Sequence, residues 1–240
     1  MTVAQANIHH AKAASAIVSR MFTKLQLGIM LLQEPWSYKG QIRGLTCKDA
    51  KVIWDTKQER PRSCILISKS INHFCLSEYM TQDLVSIQVQ LELGNNASQD
   101  VVIASAYFAG DNNEVPPVEV QELVRHCNLK KIPLIIGCDS NAHNEVWGSS
   151  DTNVRGEYLF EFLIKENLNV CNIGDAPTFR NRVREEVLDI TIASPDIRNF
   201  IRNWRVSDEI SMSDHNIICF DLIGLSDKKL LIVIRETLAA

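Results

Sequence analysis

The sequence predicts an α+β fold, a four-layer α/β sandwich in which two mixed β-sheets pack face to face with helices outside. Apolar runs of strand length outnumber stretches of helical periodicity along the 240 residues, and a chain with many strands and few helices buries its apolar faces by stacking two sheets. Turn signals separate these runs at regular intervals without a natural break. One domain is therefore expected over residues 1–225, with 226–240 as a C-terminal tail.

Taken in order, Val3 to Ile8 reads as a short strand carrying Gln5 and Asn7. Ala14, Ile17, Val18, Met21, Phe22 and Leu25 recur at helical spacing and define an amphipathic helix. Gly28 to Gln33 returns as a strand. A loop with Pro35, Gly40 and Gly44 then leads to Val52–Trp54 and Cys64–Ser68, read as a hairpin across the basic stretch Lys57 to Arg62. From Val85 to Leu93 apolar residues alternate with Ser86, Gln88, Gln90 and Glu92, the pattern of a strand with one wet face. Val101 to Tyr107 follows as another strand. Pro117 to Leu129 has the proline start, early acids and apolar spacing of a helix. Leu134 to Ile136 is a strand apolar on both faces, Gly156 to Glu166 a helix and Leu168 to Cys171 a buried strand. Pro177–Phe179 and Val187–Ser194 are expected to pair around a polar turn, Arg180 to Glu186. Asp196 to Asn203 is read as a short helix, and Trp204–Val206 and Ile217–Leu222 as the last strands.

Composition narrows the function. A net charge of −4 and a pI near 5.9 argue against gripping nucleic acid by overall charge. The basic residues are clustered, however, in Lys57 to Arg62, in Arg180, Arg182 and Arg184, and in Arg198, Arg202 and Arg205. No apolar run is long enough for a membrane span and no signal peptide is recognisable, so a soluble, intracellular protein is expected. Seven cysteines without a Cys-x-x-Cys pair, several inside apolar runs, are read as reduced core thiols.

The chemistry gathers at strand ends. Pro133 to His143 delivers Asp139, Asn141 and His143 at alternate positions after an apolar strand, Gln33-Glu34 closes another, and Ser213-Asp214-His215 enters a third. Each stretch alone is more often a structural turn, because Asp, Ser and Asn bond their own backbone. Together they place acidic residues at one edge. Carboxylates and amides from separate strands suit a hard ion such as Mg²⁺, and Glu34 and Asp214 are the candidates. Hydrolysis of a phosphodiester also needs a group to deprotonate water, one to hold the phosphate and positive charge to stabilise it; Asp139, Asn141 and His215 are of those types. Because strand neighbours point oppositely, Asp189 is a better partner for His215 than Asp214.

Asn7 in Gln-x-Asn, Gln33-Glu34, Tyr107, Gly137-x-Asp139-x-Asn141-Ala142-His143, Thr178-Phe179, Asp189 and Ser213-Asp214-His215 occur in the order seen in the endonuclease/exonuclease/phosphatase superfamily. The resemblance spans the chain to about Leu222. In detail it is similar to the apurinic-type endonuclease domain of insect non-LTR retrotransposons, with the telomeric-repeat clade favoured over the one that targets ribosomal genes. That resemblance implies a metal held by Glu34 and Asp214 with Asn7 beside it, Mg²⁺ or alternatively Mn²⁺. It implies Asp139 as the base, Asn141 and Tyr107 on the scissile phosphate, His215 oriented by Asp189, and Thr178 on the substrate backbone. Phe179, Arg180, Arg182, Arg184 and Ser213 complete the implied DNA contacts. The implied product is a nick with a 3′-hydroxyl that primes reverse transcription in the nucleus, and the implied partners are duplex DNA and a reverse transcriptase domain of the same polyprotein, with the tail as the linker start.

Two departures bear on substrate. Glu186 stands where abasic-site enzymes of the superfamily place Trp, and Arg180 where they are aromatic, so an intact duplex is expected rather than an abasic pocket. The remaining alternatives are a phosphoesterase of the same superfamily acting on abasic DNA or on inositol or lipid phosphate, and a catalytically inactive DNA-binding module. The presence of Glu34, Asp139, Asn141, Asp189, Asp214 and His215 together weighs against the last.

Overall fold

The computed structural model describes residues 1–94, 97–111 and 114–223; the expected tail, 226–240, lies outside them. In chain order the elements are β1 (Thr2–Asn7), α1 (Lys12–Lys24), β2 (Ile29–Gln33), β3 (Ser37–Tyr38), β4 (Gln41–Ile42), β5 (Ala50–Ile53), β6 (Ser63–Ser68), β7 (His73–Cys75), β8 (Leu84–Gly94) and β9 (Ala97–Tyr107). They continue with α2 (Val118–Lys130), β10 (Leu134–Asp139), α3 (Val154–Lys165), β11 (Asn169–Val170), β12 (Phe179–Arg180), β13 (Glu185–Glu186), β14 (Asp189–Ala193), α4 (Pro195–Arg198), β15 (Ile201–Val206) and β16 (Ile218–Leu222).

Two six-stranded mixed sheets result, ordered β15-β16-β1-β2-β6-β5 and β11-β14-β10-β9-β8-β7. Strand alternation assigns each apolar residue to a layer. In β1 and β2, Val3, Ile29 and Leu31 face the second sheet, while Ala4, Ala6, Met30 and Leu32 pack on Val18, Met21 and Phe22 of α1. In β10, Ile135 faces the first sheet, and Leu134, Ile136 and Cys138 join Leu123 and Val124 of α2 and Leu159 and Leu163 of α3. Both faces of the central strands are thus covered, which is why those runs are apolar throughout. The layers are helix, sheet, sheet and helices, as expected. All seven cysteines are free, and Cys64, Cys127, Cys138, Cys171 and Cys219 are buried.

Several expected elements need correction. The hairpin closes earlier: Phe179–Arg180 pairs with Glu185–Glu186, and the chain then leaves it so that Asp189–Ala193 pairs with β10 and β11 in the second sheet. The helix read over Asp196 to Asn203 is a single turn at Pro195–Arg198, and Ile201 already pairs with Leu222. The short strands β3, β4 and β7 were not anticipated.

Strand direction then decides what meets at one edge. β1 and β2 run parallel, as do β9 and β10, and β14 is antiparallel to β10. Asn7, Glu34, Tyr107, Asp139 and the first residue of β14, Asp189, therefore emerge together. The register pairs Asp139 with both Tyr107 and Asp189.

Candidate active site

The floor of this edge is a buried group of three. His215 Nδ1 donates to Asp189 Oδ2 at 2.8 Å, and His215 Nε2 lies 4.0 Å from Asp139 Oδ2. All three side chains are at most 7% exposed. Burial and the adjacent Asp189 carboxylate raise the Asp139 carboxyl to about 7, against the opposing pull of His215, Asn7 and Asn141. For His215, desolvation favours the neutral ring, but the charge and hydrogen bond of Asp189, with Asp139 and Asp214, outweigh it and raise the imidazole to about 9. At neutral pH the ring is a cation held between carboxylates.

Asn7 joins the floor to the rim. Its Nδ2 donates to Asp139 Oδ2 at 2.8 Å and to Glu34 Oε2 at 3.0 Å, while its Oδ1 accepts from the His9 amide at 2.8 Å. Ser213 Oγ donates to Asn7 O at 3.0 Å, which ties the strand end to the segment that carries Asp214 and His215. Glu34 and Asn141 both sit at positive φ, +47° and +45°, a left-handed conformation uncommon for such residues and enriched at functional sites. Asn141 Nδ2 donates to Phe108 O at 3.2 Å, and the Asn141 side chain also bonds Tyr107. Burial, Glu34 and Asp139 push the Tyr107 hydroxyl well above its ordinary value, so it keeps its proton.

Glu34 and Asp214 are partly exposed, and their ion-pair partners among the described residues are histidines: His10 Nε2 at 3.4 Å from Glu34 Oε1, and His9 Nδ1 at 2.9 Å from Asp214 Oδ1. No Lys or Arg neutralises either carboxylate among the described residues. With the Asn7 amide they form a set of hard oxygen donors, which fits Mg²⁺ or Mn²⁺. Asp139, Asp189 and His215 also present ligand atoms within 4.8 Å of one another.

Thr178 occupies a different place from the one expected. It is fully buried, and its Oγ1 accepts from the amides of Leu188 at 3.0 Å and Asp189 at 2.9 Å, so it braces Asp189 from below instead of facing a substrate. Phe179 packs edge-on against His215, with ring centroids 5.0 Å apart. Beyond it the hairpin stands in solvent: Arg180, Arg182 and Arg184 are exposed, Arg180 pairs with Glu185 at 2.7 Å, and Arg184 lies 5.7 Å over the Phe179 ring.

Three groups here were not anticipated. His9 and His10 cover the two rim carboxylates, and their position two and three residues after the strand-end Asn7 was the available signal. Arg155, in the first turn of α3, donates to the carbonyls of Asn141 at 3.0 Å, Ala109 at 3.2 Å and Ser140 at 3.4 Å. A cation against the helix dipole was its signal. Arg62 makes a bidentate pair with Asp83 at 2.6 Å and lies 5.0 Å over the Tyr107 ring.

Residues 101–219 match the family model described as endonuclease-reverse transcriptase. Among solved structures, the endonuclease domain of TRAS1, a telomere-specific non-LTR retrotransposon, matches with a TM-score of 0.77 and 26% identity, over 92% of this chain and 97% of that one. The AP endonuclease LMAP from Leishmania major matches with 0.68 and 10% identity, over 91% and 86%. The Xenopus laevis APE2 catalytic domain matches with 0.65 and 12% identity, over 93% of each. The last two speak for the fold alone. No curated protein matches the chain. The carboxylate-rich edge, the two stacked sheets and these likenesses lead to one conclusion: the chain has the fold of the endonuclease/exonuclease/phosphatase superfamily of phosphodiester hydrolases, and residues 101–219 carry the endonuclease-reverse transcriptase signature.

Proposed function

We propose that this chain is a divalent-metal-dependent endonuclease that nicks duplex DNA and leaves a 3′-hydroxyl to prime reverse transcription, with telomeric repeats as the target. The observation that carries the reading is the buried Asp139, Asp189 and His215 group standing beneath rim carboxylates that, among the described residues, pair with histidines and with no Lys or Arg. The telomere-specific source of the TRAS1 domain supports the choice of target. A reverse transcriptase domain of the same polyprotein, reached through a linker after residue 225, and a nuclear setting complete the proposal.

Glu34 and Asp214, with Asn7 beside them, hold the metal ion, which when bound supplies Lewis-acid stabilisation of charge on the phosphate. Asp139 accepts the proton of the attacking water, a task matched to a carboxyl raised to about 7. Asp189, braced by Thr178, holds His215 so that Nε2 donates to a non-bridging phosphate oxygen as charge builds there. Tyr107, still protonated, and the Asn141 amide donate to the same phosphate. Attack at phosphorus expels the 3′ oxygen of the upstream nucleotide, which becomes the free 3′-hydroxyl.

An intact duplex suits the site better than an abasic one. Residue 186 supplies a buried carboxylate that accepts from the Ser150 amide and hydroxyl, not an aromatic wall for a flipped sugar. The test is a nicking assay with Mg²⁺ on end-labelled duplexes carrying telomeric repeats, a ribosomal-gene target or random sequence, with EDTA as the control. Discrete cuts confined to the telomeric repeat are expected. Cuts confined to the ribosomal duplex would reassign the target, and no cleavage of any duplex by the folded, metal-supplied protein would overturn the endonuclease reading.

A further inference from the structure

We propose that Gln5 and Gln33 are positioning residues for phosphodiester hydrolysis. Their side-chain amides cross the gap between the sheets and fix the metal-binding half of the site against the half that activates water. The proposal rests on the functional reading above.

The two halves belong to different sheets. Asn7 and Glu34 end β1 and β2, and Asp214 leads toward β16, all in the first sheet; Asp139 and Asp189 belong to β10 and β14 in the second. Among the described residues, no strand of one sheet pairs with a strand of the other. Between them lies mostly apolar packing, such as Leu31, Ile65, Ile87, Ile103 and Ile135. Apolar contact is non-directional, whereas a misplacement of about 1 Å costs on the order of 10²-fold in rate. Directional ties are needed near the carboxylates: Asn7 to Asp139 and His215 to Asp189 join the reacting side chains themselves, and the glutamines fix the backbones behind them.

Gln5 Nε2 donates to Cys138 O at 3.1 Å and to Ile190 O at 3.2 Å, and Gln5 Oε1 accepts from Thr191 Oγ1 at 3.2 Å. Those carbonyls belong to the residues adjoining Asp139 and Asp189. Gln33 Nε2 donates to Gly137 O at 3.1 Å and to Ser105 Oγ at 3.0 Å, and Ser105 Oγ donates back to Leu32 O at 3.0 Å. Both glutamines are fully buried. Gln5 lies two residues before Asn7 on the same face of β1, and Gln33 directly precedes Glu34. Gln5 therefore grips the backbone beside Asp139 and Asp189, and Gln33 the backbone two residues before Asp139, each close in sequence to a first-sheet metal donor.

Two further observations point to placement and not to stability. A Cβ on Gly137 would lie 2.6 Å from Gln5 Oε1 and 2.7 Å from Leu31 Cδ1, so the bare glycine is what lets the amide approach β10. Gln33 Oε1 is buried without a hydrogen-bond partner among the described residues, a cost that an apolar side chain in the same space would avoid.

The test compares the Gln5→Met, Gln33→Met, Ser105→Ala and Thr191→Val variants of the full chain. Ile103→Val serves as a packing control in the same inter-sheet core. The readouts are kcat and KM on a duplex the wild type nicks, the unfolding temperature, and its rise on adding Mg²⁺. The methionine variants are expected to lose on the order of 10²-fold in kcat, with KM and the Mg²⁺-induced rise at wild-type values, because the metal donors and the recognition hairpin are untouched. Ser105→Ala removes the bonds to Gln33 and Leu32, and Thr191→Val those to Gln5 and the Trp204 indole, but each leaves its glutamine the bonds to carbonyls of the second sheet, so both should fall between; they decide the matter if a methionine variant does not fold. Wild-type kcat in the folded variants, or a fall in kcat that tracks unfolding temperature along one line with Ile103→Val, would overturn the proposal. A wild type that nicks no duplex would instead remove the functional reading, and this inference with it.

Discussion

The floor of the site and the hairpin above it are built on opposite principles. Asp139, Asp189 and His215 are buried, and their charges and hydrogen bonds depend on one another. The hairpin from Phe179 to Glu186 exposes its arginines, and the bonds at its tip are local: Arg180 to Glu185, and Asn181 Oδ1 accepting from the amides of Val183 and Arg184; only its base is anchored, through the Arg180 amide to Asp214 O at 2.7 Å and Glu186 to Ser150. Exposed ion pairs of this kind contribute little to stability. A change in the floor should thus alter chemistry without binding, and a change in the hairpin should alter binding without chemistry.

The largest expected effect breaks the floor. Asp139→Ala removes the proposed base and should lower cleavage by about 10²–10⁴-fold while duplex affinity, measured by titration in Ca²⁺, stays near that of the wild type. Persistent cleavage would show that another group takes the proton. Next in size is the hairpin. Replacing Arg180, Arg182 and Arg184 together by Ala should weaken duplex binding and flatten its salt dependence by about 0.9 log unit for each phosphate that the arginines no longer neutralise. Single-turnover cleavage at saturating enzyme should hold. Unchanged affinity and an unchanged cut pattern would remove the hairpin from recognition.

The smallest effect sharpens the comparison through pH. In metal-free protein Asp139 is raised from 3.8 to about 7 and His215 from 6.5 to about 9, so the folded state holds both protons more tightly than the unfolded chain does. The His215 contribution is fully present below pH 6.5 and is lost as pH rises through about 9; that of Asp139 fades between 3.8 and about 7. The unfolding temperature in EDTA should therefore fall from pH 5 to pH 9, and His215→Asn should flatten the upper part of the curve. A midpoint that climbs with pH would contradict the charged imidazole.

The same contrast explains what was legible in the sequence. The central strands could be read because burial on both faces leaves an unbroken apolar signature, as in Leu134 to Ile136. The strand-end acids could be read because their neighbours are strands. The start of β15 is hidden: a bulge between Arg202 and Arg205, with Asn203 at φ +54°, breaks the two-residue alternation of the strand, so only Trp204–Val206 is legible as one. The hairpin boundary misled because Val187 and Leu188 continue an apolar run across a change of sheet. The family resemblance implies a substrate contact for Thr178, and nothing in the local sequence speaks against it. Only the fold reveals that two backbone amides already occupy its hydroxyl.

The first and last described strands meet far from the chemistry. The Met1 amino group donates to Leu222 O at 2.9 Å, and the Leu222 amide donates to Met1 O at 2.8 Å. β1 then runs about 20 Å from there to Asn7, at roughly 3.3 Å per residue. Residue 223 consequently sits at the end of the sandwich opposite the carboxylate edge. On the proposed function, a polymerase following in the same chain would have to reach around the nuclease, or wait for it to let go, before extending the freed 3′ end, and the length of the connection would be a determinant of priming.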